Sequence, residues 1–119
     1  MDRSLENLFI WQEARKVVNG IYKMLLSNKD WGFRDQIQRA AVSIVNNIAE
    51  GFDLGSDAKF TNFLNIAKES CSEVRSMLYL CEDLGYCHLE TRQELQDSVK
   101  KITTGIVKLM GTLQNGTNQ

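Results

Sequence analysis

The 119-residue chain has no proline and a single histidine, His88. Without proline, nothing fixes a helix break or removes a backbone donor from a helix interior. A bundle di-iron site built on Glu-x-x-His pairs is excluded, because Gly85 stands three residues before the only histidine. There is no glycine-rich phosphate loop after a strand and no nucleophile elbow. No segment approaches the ~20 apolar residues of a membrane span, and the opening MDRSLENLFIWQEARK lacks the apolar run of a signal peptide. Net charge is nearly absent as well. Fourteen basic side chains face fifteen acidic ones, and the balance of -1 gives no global attraction to nucleic acid or an anionic membrane. The expectation is a protein that is not an enzyme, takes no cofactor and has no membrane partner.

Cysteine is scarce too, at three residues. Cys71 and Cys81 lie ten residues apart on what reads as one helix, so ~15 Å separates them, beyond disulfide reach. This favours a reduced, cytoplasmic protein. Cys81, Cys87 and His88 offer three ligands where zinc wants four, and their spacing matches no common finger. Cys81 therefore reads as a small core residue and His88 as a helix-entry residue.

What is present is regular. Hydrophobic residues make up 43% of the chain and charged residues 24%, and the apolar ones recur at alternating spacings of three and four. One series is Trp11, Ala14, Val18, Ile21 and Leu25. A second is Ile37, Ala41, Ile44 and Ile48. A third runs Phe60, Leu64, Ala67, Cys71, Val74, Leu78 and Cys81. The fourth is Leu95, Val99, Ile102, Ile106, Leu109 and Leu113. Such spacing draws a stripe along a helix and suits shallow left-handed packing. SNKDWGF (27–33) and GFDLGSD (51–57) read as the first two connections, with Ser56 or Asp57 capping the third helix and Gly85 stopping it. Short connections force antiparallel neighbours. The expected fold is an all-α, up-down-up-down, left-handed four-helix bundle, one domain over residues 1–113 with a fraying polar tail at 114–119.

Helix two carries more apolar surface than this fold requires. At ~100° per residue, Ile37, Ala40, Ala41, Ile44, Ile48 and a surplus of Val42, Val45, Ala49 and Phe52 cover roughly 200°. A bundle helix needs a stripe only somewhat wider than about 100°. Full burial of a Val or Phe is worth roughly 1.5–3 kcal/mol, so wet surplus residues forfeit several kcal/mol. Either a neighbouring helix or the tail covers Val42, Val45, Ala49 and Phe52, or another subunit does. The small Ala41 and Ala49 permit close helix approach, and large exposed apolar patches are unusual on monomers, which favours a homo-oligomer interface. Ser43, Asn46, Asn47, Glu50 and Arg39 fill the remaining arc, either as the wet side or as a polar contact face.

FIWQEA, QIQRAAVSIVNNIAEG, KFTNFLNIAKESCSEV and LYLCEDLGY, in this order and spacing, resemble the four-helix-bundle family of 23S rRNA intervening-sequence proteins. The resemblance spans about residues 8–87, and RAAVSIVNNIAEG is its most specific part. It implies a homo-oligomer, with a pentameric ring in some members and relatives, and no established enzymatic activity. The related accessory protein of diversity-generating retroelements shares the bundle and ring and binds nucleic acid. Two departures stand out: Val45 occupies a position where proline is common, and Asn46 one where serine is usual. The accessory protein is also strongly basic, whereas this chain is slightly acidic.

Charge along the chain is uneven. Glu50 to Val99 holds ten acids against four bases, whereas beyond Val99 come Lys100, Lys101 and Lys108 with no acid. On helix three Lys68, Arg75 and Tyr79 fall within roughly 40°, suited to clamping phosphate and stacking a base. With Arg39 and the three helix-four lysines they are the candidate contacts for RNA or DNA. The alternative is a solvated face in which Lys68 pairs with Glu69 or Glu73. Trp11 and Tyr86 are expected to pack at the bundle ends, and Trp31 either plugs an end or joins a subunit contact.

Overall fold

The computed structural model describes residues 4–117. A short 3-10 turn, Leu5–Asn7, leads into α1 (Phe9–Met24), α2 (Trp31–Asp53), α3 (Asp57–Asp83) and α4 (Leu89–Thr117). Each helix packs on its chain neighbour, and α4 closes the ring of four onto α1. The expected all-α four-helix bundle is the observed fold. Cross-helix pairs give the antiparallel register directly. Gln36 reaches Glu73 and Ser43 reaches Ser70 between α2 and α3, while Gln96 reaches the Arg75 carbonyl between α3 and α4. Between α2 and α3 one number rises as the other falls, and Arg92–Glu82 with Gln96–Arg75 repeats the pattern between α3 and α4.

Local chemistry sets the helix ends. The Asp30 side chain accepts from the Phe33 N–H at the start of α2, and Ser56 Oγ accepts from the Lys59 N–H at the start of α3. Both satisfy a backbone donor that the first turn leaves without an intrahelical partner. Gly85 has φ +74°, and the Tyr86 N–H bonds back to the Cys81 carbonyl at 2.7 Å, closing α3 with a left-handed glycine cap.

The core is one cluster of buried aliphatic side chains from all four helices. The third and fourth apolar series lie on it as expected, with Phe60, Leu109 and Leu113 at its partly covered ends. In α1 the register shifts: Ile10 and Val17 are buried, while Trp11 and Val18 only lean against the cluster. Val17 and Val18 are chemically identical, and the choice between them depends on how α1 rotates against α2 and α4. Two connections are also shorter than expected. Trp31 is the first residue of α2 and 65% exposed, so it does not plug the bundle end. The second helix does not stop at Gly51 but runs on to Asp53. Gly51 is buried there, and a Cβ on it would sit 2.8 Å from Phe60 Cδ1 and 2.9 Å from Phe63 Cβ. The glycine allows α3 to approach closely, and the turn itself falls to Gly55, at φ +80°. Of the expected tail 114–119, α4 continues as far as Thr117 and residues 118–119 lie outside the described residues.

Among the described residues no helix is long and apolar enough to cross a membrane.

Candidate functional site

Two sides of the bundle carry the residues singled out by sequence. On the first side, Val42, Val45, Ala49 and Phe52 of α2 are neither buried nor fully exposed. Val45 leans on the core cluster, and Phe52 meets the edge of the Phe60 ring at a centroid distance of 6.2 Å. Val42 and Val45 join Arg15, Val18 and Asn19 of α1 around a depression of about 240 Å³. The Arg15 guanidinium lies 5.6 Å over the Trp11 ring, so that aromatic also faces this side. At ~100° per residue Trp31 falls on the same line of α2 as Val42 and Ala49. The Arg34 guanidinium lies over its ring, 5.3 Å from the centroid. The amide nitrogen of Gln38, also on α2, is buried without a hydrogen-bond partner among the described residues.

The polar arc of α2 lies next to this side. Arg39, Ser43, Asn46 and Asn47 line a shallow depression of about 520 Å³ with Asp35, Gln38, Val42 and Tyr22. Arg39 forms an exposed ion pair with Asp35 at 2.8 Å, an interaction of small energetic worth. Asn47 donates to both the carbonyl and the hydroxyl of Ser43, whose Oγ also meets Ser70 Oγ at 2.9 Å. Ser43 and Asn47, two of the polar residues within the apolar run, thus form a hydrogen-bonded seam against α3, while Asn46 is exposed.

The opposite side, between α3 and α4, gathers Arg75, Tyr79 and Lys100 in a groove of about 400 Å³. Sequence reasoning missed its other cation, Arg92, and its two amides, Gln93 and Gln96. Arg92, Gln96 and Lys100 recur at i, i+4 and i+8 on α4, a spacing visible in the sequence. Their meeting with Arg75 and Tyr79 depends on the α3–α4 register, which is not. Arg92 lies 4.7 Å over the Tyr79 ring and pairs with Glu82, which holds its guanidinium even further above its ordinary pKa. One face of Tyr79 is therefore taken by Arg92 rather than left free for a base. Lys100 also borders a second depression, of about 490 Å³, shared with Lys101, Lys108, Asp97 and the exposed Phe9. Lys68 lines neither, and Arg39 lies across the bundle. The six proposed cations thus split between surfaces.

Among the described residues no three His, Cys, Asp or Glu side chains cluster as metal ligands. The three thiols are free. Burial pushes Cys71 up to about 11, with the Thr103 hydroxyl acting the other way, and pushes Cys81 up to about 12, helped by its neighbour Cys87. Cys87 is raised too, mainly by burial. Protonated, desolvated thiols are poor nucleophiles and poor metal ligands.

A family model described as 23S rRNA-intervening sequence protein matches residues 6–108. The chain belongs to this family. The match extends the resemblance into α4, through the three lysines. A similar solved structure is a protein of unknown function from the S23 ribosomal protein family of Bacteroides thetaiotaomicron VPI-5482. It superposes with a TM-score of 0.78 at 26% identity, over 85% of this chain and 97% of that one. No curated protein matches the chain significantly. Within the matched range, the segment RAAVSIVNNIAEG supplies both the core stripe of α2 and the partly covered residues beside it.

Proposed function

We propose that this family member is a non-enzymatic protein that assembles with copies of itself, as a pentameric ring by family resemblance, and serves as an interaction scaffold. One observation carries the reading. With all four helices in place, Val42, Val45, Ala49 and Phe52 are covered only in part, and the exposed Trp31 continues their line. A completed bundle has no further helix to offer them, so a second copy is the natural cover. The three thiols, none of them in a disulfide, fit a reducing, cytoplasmic setting. Light scattering should return a mass several times 13.6 kDa, the mass of one chain. A single-chain mass at micromolar concentration overturns the proposal.

A second reading, RNA or DNA binding, is favoured by the α3–α4 groove. Arg75, Lys100 and the Gln93 and Gln96 amides share that surface. Cations and amides so placed suit a phosphate backbone and base edges. Repetition around an oligomer multiplies the number of phosphates neutralised, so affinity should fall steeply with salt. Filter binding to a structured RNA at low salt tests it, and no retention removes it.

A further inference from the structure

We propose that Cys81 and Cys87 are an oxidisable pair, which the α3–α4 turn of the folded protein joins in an internal disulfide when a small-molecule disulfide is present as oxidant. This modification site is independent of self-assembly and of nucleic-acid binding. Cys81 lies in the last turn of α3, and Cys87 lies just past the glycine that ends it. An extended chain can hold residues six apart at up to ~20 Å. Here Gly85, at φ +74°, reverses the chain, and the Tyr86 N–H bonds back to the Cys81 carbonyl at 2.7 Å. That link brings the next residue, Cys87, beside the end of α3. Its side chain packs against the buried cluster that contains Cys81, and the two thiols share a hydrogen bond. Bonding them therefore needs a local side-chain adjustment and no movement of helices. Cys71 is excluded from the pair, ~15 Å back along α3, where it meets the Thr103 hydroxyl instead. With no third ligand beside them among the described residues, the two thiols lack the closed ligand set of a structural zinc site.

Exposure orders the steps. Cys81 is buried and Cys87 is partly exposed, so the oxidant meets Cys87 first. Arg92 favours its thiolate, working against burial and the Glu82 carboxylate. The thiolate attacks one sulfur of the small disulfide. That S–S bond breaks, one small thiol leaves with the proton Cys87 gave up, and Cys87 is left in a mixed disulfide. Cys81 then attacks the Cys87 sulfur from inside the bundle. The protein S–S bond forms, the mixed disulfide breaks, and the second small thiol departs with the Cys81 proton. Two protein thiols have lost two electrons and two protons, and the oxidant has gained both as two thiols.

Equilibration with reduced and oxidised glutathione tests the pair. Acid quenching and alkylation with N-ethylmaleimide in denaturant then mark the thiols that remain. Trypsin releases Cys81 and Cys87 together in peptide 76–92 and Cys71 alone in peptide 69–75, so mass spectrometry reads them separately. In the folded protein peptide 76–92 should lose both alkylation sites and two hydrogens, while 69–75 stays alkylated. The folded chain should form the bond at a glutathione ratio about tenfold less oxidising than the chain unfolded in urea requires. Cys81→Ser should stop at a glutathione adduct on Cys87, and folded Cys87→Ser should take up no glutathione at Cys81. Equal midpoints in the folded and unfolded chains would show that the turn does not join the thiols, and would overturn the proposal. A folded wild type that carries glutathione on Cys87 with Cys81 still alkylated overturns it too, as does a disulfide that links two chains.

Discussion

Helices α2 and α4 hold equivalent corners of the same bundle, each burying one aliphatic stripe, yet their remaining surfaces have little in common. Beyond its stripe α2 presents Val42, Val45, Ala49 and Phe52, all covered only in part, and a hydrogen-bonded polar seam. Beyond its own, α4 presents Lys100, Lys101 and Lys108 around a wide, shallow depression. The requirements of a bundle core are the same for both helices, so they do not account for the difference. On the function proposed above, the difference lies in the molecule each non-core surface meets: another copy of this chain for α2, and solvent or a polyanion for α4.

That contrast can be broken in several ways. The largest effect is expected at Ile44, which is fully buried on α2. Ile44→Ala should cost about 2–5 kcal/mol in urea unfolding, the usual range for a large core deletion. Next door, Val45→Glu should cost the single chain less than Ile44→Ala, because Val45 leans on the core cluster without being enclosed by it. It should nevertheless reduce the assembly to single chains in light scattering. Equal stability losses at positions 44 and 45, with unchanged mass, would erase the distinction between core and subunit surface. On α4 the opposite pattern is expected. Replacing Lys100, Lys101 and Lys108 with glutamate should leave the mass unchanged. In RNA filter binding it should reduce the salt slope by about one unit for each phosphate that is no longer neutralised.

The smallest effect is a pH dependence that belongs to the shared core. Cys71 and Cys81 have raised pKa values in the folded protein, near 11 and 12 against an ordinary 9. The folded state thus holds protons that the unfolded chain releases first. Their contribution is full below about pH 9 and is lost as pH climbs through the window from 9 to 12. The urea midpoint should fall across that window, and less steeply in Cys81→Ala.

The helices were legible because a 3.6-residue period with no proline admits few other readings, and α3 and α4 followed their stripes closely. Val17 and Val18 were not separable, since rotation of α1 is set by its partners and not by its own residues. Gly51 was misjudged for a related reason. A glycine that ends a helix and one that lets another helix approach look alike until Phe60 and Phe63 are placed beside it. Among the candidate nucleic-acid residues, Arg75, Tyr79 and Lys100 met as a group, while Arg39 and Lys68 went elsewhere. Helical spacing reports which residues share a face of one helix. It does not report which faces of two helices meet, and that is how Arg92 came to occupy the Tyr79 ring.

The carboxylate of Asp30 serves two masters. One oxygen accepts from the Phe33 N–H at the head of α2, and the other accepts from the Tyr86 hydroxyl at 2.6 Å, across the α3–α4 turn. The Phe33 and Tyr86 rings touch edge to face beside it. Neither connecting segment can therefore loosen alone: fraying at the head of α2 releases Tyr86, and movement of Tyr86 exposes the first turn of α2. In hydrogen exchange the amides of Phe33 and Tyr86 should open together, and Asp30→Ala should uncouple them.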